Sequence, residues 1–166
     1  MRRALDEDRL EDNITYRRAL GAFPTGVALI AADGPHGPLG IIVNSFTSVS
    51  LKPRLVLWCL GVQSDRYGVF SAAERWSVNV LSADQQAISQ RFARAGSTEG
   101  DGAAFRHHPY APVLEGALTT LVCRTHERST LGDHLVIVGE VEAFETCDGD
   151  ALTYFRGRYG RATMES

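Results

Sequence analysis

Three stretches of this chain carry side chains able to do chemistry, and the densest is Asn44-Ser45-Phe46-Thr47-Ser48-Val49-Ser50-Leu51. It follows the β-branched run Ile41-Ile42-Val43 directly. A strand that opens this way, without a turn signal, exposes backbone N–H groups and side-chain donors along a ribbon. Such a ribbon can hold a flat heteroaromatic ligand, with Phe46 and Leu51 against it and Asn44, Ser45, Thr47, Ser48 and Ser50 on its polar edge. A Ser/Thr-rich connection with no ligand fits the same residues. The second stretch is Ser64-Asp65-Arg66, ahead of a helical pattern over 67–73. A hydroxyl and a guanidinium at a helix N-terminus suit a phosphate, and an ordinary N-cap with a solvated arginine is the plainer alternative. The third is His134, placed after the turn Gly132-Asp133 where a strand begins. Its imidazole can point into a cleft, although a lone histidine at a strand end is commonly structural.

Other chemistries find less support. Cys123 and His126 are three apart on a strand, so they point to opposite faces, and His107 and His108 are adjacent with the same objection; no metal site is expected. Neither G-x-G-x-x-G nor G-x-x-x-x-G-K-[ST] occurs, so any dinucleotide would bind without a Rossmann unit. There is no G-x-S-x-G elbow, and the serines of the ribbon have no histidine nearby in sequence, which argues against a hydrolase.

The elements that must position these residues belong to one domain, the expectation for 166 residues, with 1–12 as a loose N-terminal segment and 13–166 as the folded unit. A 44% hydrophobic, 22% charged composition excludes disorder, and no apolar run approaches the ~20 residues of a spanning helix. With a net charge of −3 and scattered cations, a nucleic-acid surface is not expected. Cys59, Cys123 and Cys147 are odd in number and far apart, and no apolar signal segment is visible, so reduced thiols and a cytoplasmic location are expected.

Asn13 is a candidate cap for a short amphipathic helix ended by Gly21 and Pro24, which should cover one end of the fold. Strands are expected over 27–32 and 39–43, joined at Gly34-Pro35-His36-Gly37. Residues 55–60 are almost wholly apolar and should be buried on both faces, with Trp58 and Cys59 in the core. A strand over 76–81 and a helix over 84–94 follow, the helix carrying Ala87, Ile88, Arg91 and Phe92 on one face. Residues 96–102 read as a mobile loop and 105–112 as irregular. Strands over 118–125 and 134–145 form a second hairpin, the alternation at Glu140 to Ala143 suggesting a strand that leaves the core for an exposed edge.

The segments Pro24-Thr25-Gly26-Val27, Val43 to Leu51 with Pro53, Trp76-Ser77-Val78-Asn79-Val80-Leu81 and Gly132-Asp133-His134 together resemble the flavin reductase family, the small reductase components of two-component flavin monooxygenases. The resemblance runs from about Tyr16 to Tyr159 and is most specific over Asn44 to Leu51. It implies a mainly β fold, a split β-barrel with short peripheral helices, that binds FMN or FAD at a homodimer cleft and takes hydride from NADH or NADPH. It further implies that Asn44, Ser45, Phe46, Thr47, Ser50 and Leu51 hold the isoalloxazine and ribityl chain. Ser64, Arg66 and Arg91 would hold the phosphate, and His134 and Tyr159 would face the nicotinamide, with His134 the catalytic candidate. A flavin-dependent monooxygenase is the implied partner. A flavin-binding module without reductase activity, and an oxidase or oxygenase that keeps its flavin, remain alternatives. Where the family commonly has two prolines after Ser-Leu, Arg54 takes the second place, which puts a guanidinium near the implied flavin rim.

Overall fold

The computed structural model describes residues 12–94 and 105–164. The expected loose N-terminus, apart from Asp12, and the expected loop over 96–102 lie outside the described residues. After helix α1 (12–20) the chain forms β1 (Thr25–Gly26), β2 (Ala28–Gly34), β3 (Gly37–Val43), β4 (Thr47–Leu51) and β5 (Arg54–Gly61). Then come α2 (Tyr67–Ala72), β6 (Arg75–Val80), a 3-10 turn (Ala83–Gln85) and α3 (Gln86–Phe92). The second half is β7 (Phe105–Arg106), β8 (Val113–Leu114), β9 (Thr119–Leu131), β10 (His134–Thr146), β11 (Ala151–Phe155) and β12 (Arg158–Ala162).

Seven strands join in the order β3-β2-β6-β9-β10-β5-β4. The two edges, β3 and β4, are consecutive in the chain and joined only by Asn44, Ser45 and Phe46. In a flat sheet six spacings would separate those edges by roughly 29 Å. Three residues and their flanking bonds reach about 14 Å at most. The sheet therefore has to roll up until its edges nearly meet, a barrel split along the seam that Asn44 to Phe46 crosses. The fold expected from the resemblance is found, and the densest polar stretch of the sequence lies on its split.

The barrel interior holds Ile30, Val56, Trp58, Phe70, Trp76, Val78 and Ile137, with the Trp58 ring edge-on to Phe70 and Trp76 at 5.5 and 5.9 Å. Gly139 opposite is required by this packing, because a Cβ there would lie 2.4 Å from the Trp76 ring; the ladder with β9 shifts register at the same place. A second cluster, Val27, Leu29, Ala31, Leu81, Phe92, Leu114 and Leu152, fills the space between the outer face of β2, helix α3 and a small sheet, β1-β11-β12. Asn79 stitches this side together: its amide donates to the Leu29 carbonyl and to Ser77 Oγ, and its oxygen accepts from Leu114 N–H and Thr120 Oγ1, all of them buried.

Three expectations change. The strand buried on both faces is β2, through Ala28 to Ala32, because α3 and the small sheet cover its outside. In β5 only Val56, Trp58 and Leu60 are buried; Leu55, Leu57 and Cys59 face outward and are half-buried, since no described element packs over them. Strand β10 is not an edge but lies between β9 and β5, and Glu140 and Glu142 are tolerated on its outer face because they pair with Arg124 and Arg75. Helix α1 forms as expected but does not seal the barrel: its residues are exposed, and Ile14, Leu20 and Phe23 border an open cleft.

Candidate active site

The seam places Asn44 between two cavities. One, of about 200 Å³, is walled by Val27, Ile42, Val43, Ala93, Tyr154 and Tyr159. The other is a cleft of about 740 Å³ between α1, with Ile14, Arg17, Arg18 and Leu20, and the β11–β12 turn, with Tyr154, Arg156 and Gly157. Both include Asn44 and Tyr154, so they form a continuous depression across the split. The larger falls within the range of about 300–1,000 Å³ typical of ligand sites.

Each wall has a local cause. Tyr154 and Tyr159 face each other across the β11–β12 pair, rings 5.4 Å apart edge-on, and Ser89 Oγ lies 2.9 Å from the Tyr159 hydroxyl, which fixes that ring against α3. The small sheet is held by the Leu152 N–H bond to the Leu81 carbonyl and by Arg156 N–H bonded to the Gly21 carbonyl. Thr25 lies in the cleft lining, and its hydroxyl oxygen is buried with no hydrogen-bond partner.

The residues singled out in the sequence divide by position. Asn44 and Tyr159 meet at the smaller cavity. Ser45 turns inward: its Oγ accepts the Cys59 N–H at 3.0 Å, pinning the seam to β5. Phe46 packs against the barrel core. Thr47 is exposed at the start of β4. Ser50 and Leu51 stand at the far end of β4, where Ser50 Oγ accepts the Lys52 N–H and Leu51 is 85% exposed. They line neither cavity within one chain. Arg54 sits at the same remote end, its guanidinium 5.5 Å from the centre of the Phe144 ring, away from the implied flavin rim.

Ser64 and Arg66 lie at the start of α2, and Arg91 lies on α3. Ser64 Oγ accepts the Arg66 N–H, and Arg91 occupies the last turn of α3. Arg66, expected as a phosphate ligand, is only 7% exposed: its guanidinium donates to the Arg94 carbonyl at 2.7 Å and lies 3.8 Å from Asp65, tying the start of α2 to the end of α3. His134 opens β10 opposite Gly61, with Nδ1 2.8 Å from Asp133 Oδ1 and its ring half exposed. That bond, with the charge of His134 next and a smaller effect of Arg17, holds the Asp133 carboxyl below its ordinary value.

Sequence reasoning assigned no role to Thr25, Tyr154, Arg17, Arg18 or Arg156. They come from three distant stretches that only the small sheet and α1 bring together. One signal was visible: Arg156-Gly157 occupies a tight turn where Asn-Gly would be ordinary.

A family profile described as "Flavin reductase like domain" matches residues 20–163. The chain is 44% identical over 155 residues to "FMN reductase (NADH) SmoA" of Agrobacterium fabrum, covering 93% of this chain and 89% of that one. It is 30% identical to the reductase component of a 4-nitrophenol 4-monooxygenase/4-nitrocatechol 2-monooxygenase of Rhodococcus opacus, over 90% of this chain and 80% of that one. Among solved structures, NADH:FAD oxidoreductase SgcE6 of Streptomyces globisporus, in complex with NAD and FAD fragments, superposes with a TM-score of 0.86 at 33% identity, covering 92% of this chain and 94% of that one. The profile spans most of the chain, the solved relative shares the rolled sheet, and the motif-bearing seam lines the cavities: the chain belongs to the flavin reductase family.

Proposed function

We propose that the protein is an NAD(P)H:flavin oxidoreductase that takes hydride from NADH to FMN or FAD and supplies reduced flavin to a partner monooxygenase. The observation that carries this reading is the continuous depression at the barrel split, apolar and aromatic in its smaller part and cationic in its larger part, with Asn44 between them. Its donor set fits a phosphorylated heteroaromatic: tyrosine rings and aliphatic walls for a flat ring, the Asn44 amide for its polar edge, guanidinium groups for phosphate, and the partnerless Thr25 hydroxyl for a further hydrogen bond. The relatives named as an NADH-using FMN reductase and as a monooxygenase reductase component support the same activity.

When bound, the flavin supplies an electron-pair acceptor at N5 for the hydride that leaves nicotinamide C4. The chain's own part is orientation. Asn44 holds the ring at the seam with Phe46 backing it from the barrel core, Ser45 fixes that seam through its bond to Cys59, and Thr47 offers a hydroxyl at its exit. Ser64, Arg66 and Arg91 anchor the flavin phosphate beside the end of α3, which requires Arg66 to share its guanidinium with the Arg94 carbonyl. Tyr159 faces the nicotinamide from the small sheet, and His134 approaches from the β9–β10 turn.

Ser50 and Leu51 join a site in a homodimer. Strand β4 is a sheet edge with Val49 50% and Leu51 85% exposed, and the outward, half-buried Leu57, Cys59, Val136 and Val138 continue that apolar face; a second copy would cover it and bring its β4 to the neighbouring cleft. Light scattering should give twice the chain mass, and a monomer at full flavin occupancy would rule the dimer out. Three free thiols, one of them exposed at Cys147, fit a reducing location such as the cytoplasm.

The test of the activity is steady-state NADH oxidation with and without added flavin. A rate that rises with free FMN or FAD identifies a reductase with diffusible product. Flavin binding without NADH oxidation would mark a storage module instead, and oxidation unaffected by added flavin would mark an enzyme that keeps its cofactor.

A further inference from the structure

Helix α3 buries a hydroxyl that its own folding does not need. Ser89 has no solvent exposure and shares its helix face with Phe92 and Ala93, three and four residues on. Phe92 belongs to the second core cluster and Ala93 walls the 200 Å³ cavity, so Ser89 sits where core and cavity meet. Alanine is the better helix former at such a position. The hydroxyl has a distant use instead: its Oγ lies 2.9 Å from the Tyr159 hydroxyl, 70 residues on, and among the described residues it has no other hydrogen-bond partner.

The two hydroxyls are not equivalent. The Ser89 proton is enclosed and has Tyr159 as its acceptor, whereas Tyr159 is half-buried and borders both the smaller cavity and an outer depression of about 560 Å³. A buried donor left unpaired is costly, while a proton turned toward a cavity can be taken by water or a ligand. The arrangement that satisfies both groups has Ser89 Oγ–H donating to the tyrosine oxygen and the Tyr159 proton turned away from α3. Most of the smaller cavity is aliphatic, and its polar side-chain groups among the described residues are the Asn44 amide and the hydroxyls of Tyr154 and Tyr159. Of the two tyrosines, Tyr159 alone has its hydroxyl bonded among the described residues, and its ring is further held edge-on to Tyr154 at 5.4 Å.

We infer that Ser89 is a positioning residue for hydride transfer, which holds the Tyr159 hydroxyl as a hydrogen-bond donor toward a carbonyl oxygen of the ring bound in the smaller cavity. The inference rests on the reductase reading, which puts a nicotinamide or a flavin there. Both rings offer the chemistry, the nicotinamide through its carboxamide oxygen and the flavin through its pyrimidine carbonyls. A donor fixed in direction sets the rotation of the ring within its own plane, and with it the place of the reacting atom.

A double-mutant cycle between Ser89→Ala and Tyr159→Phe tests it. Each variant removes one oxygen and no carbon. Ser89→Ala gains helix propensity as it loses the bond, so its thermal midpoint should fall by no more than about 4 °C. Its kcat/KM for NADH with flavin should fall roughly 2- to 10-fold, and that of Tyr159→Phe further. The second effect should contain the first, so that Ser89→Ala changes nothing more in the Tyr159→Phe background. The ligand that suffers names the ring. A loss of FMN affinity in fluorescence titration identifies a flavin carbonyl, and a loss of NADH use at saturating flavin, with FMN affinity unchanged, identifies the carboxamide. No loss in Ser89→Ala, or the same loss in both backgrounds, overturns the inference, because an effect of packing alone does not pass through the tyrosine oxygen. Wild-type protein that leaves NADH unoxidised with flavin present would end the reductase reading separately. The same cycle read on flavin and NAD⁺ affinity by calorimetry then decides Ser89: coupling through Tyr159 supports its role, and additive or absent effects overturn it.

Discussion

At the β9–β10 turn, one hydrogen bond orients two residues: Asp133 Oδ1 accepts from His134 Nδ1, leaving Nε2 as the atom able to meet a ligand. The Asp133 carboxyl, pulled below its ordinary value of 3.8, stays ionised until the pH falls through that lowered value; its contribution is present above 3.8 and lost below. Carbon-detected NMR titration should find the Asp133 midpoint below 3.8, moving up in His134→Ala. If His134 positions the nicotinamide, the same variant leaves FMN affinity nearly unchanged but loses about 1–3 kcal/mol in nucleotide use. That is roughly a 5- to 150-fold fall in kcat/KM for NADH. Unaltered hydride transfer would remove His134 from the site, and joint loss of flavin affinity and thermal midpoint would make it structural. Cys123, with its thiol pushed up to about 12 by burial, has no comparable role and should resist alkylation in the folded protein while exposed Cys147 reacts.

At the scale of elements, the site depends on how the barrel closes. Trp76 of β6 reaches across to β10 only because Gly139 offers no side chain. Gly139→Ala should cost about 1–3 kcal/mol as ring and backbone shift, a fall in thermal midpoint of about 2–4 °C per kcal/mol for a chain of this size. An unchanged midpoint would mean the ladder irregularity at Val138/Gly139 already absorbs the change. The hairpins, the order of strands and helices and the position of the polar ribbon were legible from local pattern and turn residues. What was not legible came from distance in sequence. Burial of β2 on both faces depends on Phe92 and Leu152 clustering with Leu29 and Ala31, and the half-exposure of the outer face of β5 on no described element packing there. The burial of Arg66 was not legible because the Arg94 carbonyl that takes part of its guanidinium lies 28 residues away. The ribbon itself was read as one unit, whereas the β4 ladder carries Ser50 and Leu51 away from Asn44 along β5.

For the whole molecule, we propose that the split barrel brings a dihydronicotinamide and a flavin together at the Asn44 seam for direct hydride transfer. The most direct test mixes the protein anaerobically with FMN or FAD and NADH, and with NADH deuterated at the transferring C4 position, while following the flavin's visible absorbance. Bleaching of one flavin per NADH consumed, slower with the deuterated nucleotide, is the expected result. Flavin that stays oxidised, with NADH unconsumed beyond the protein-free control, would contradict it.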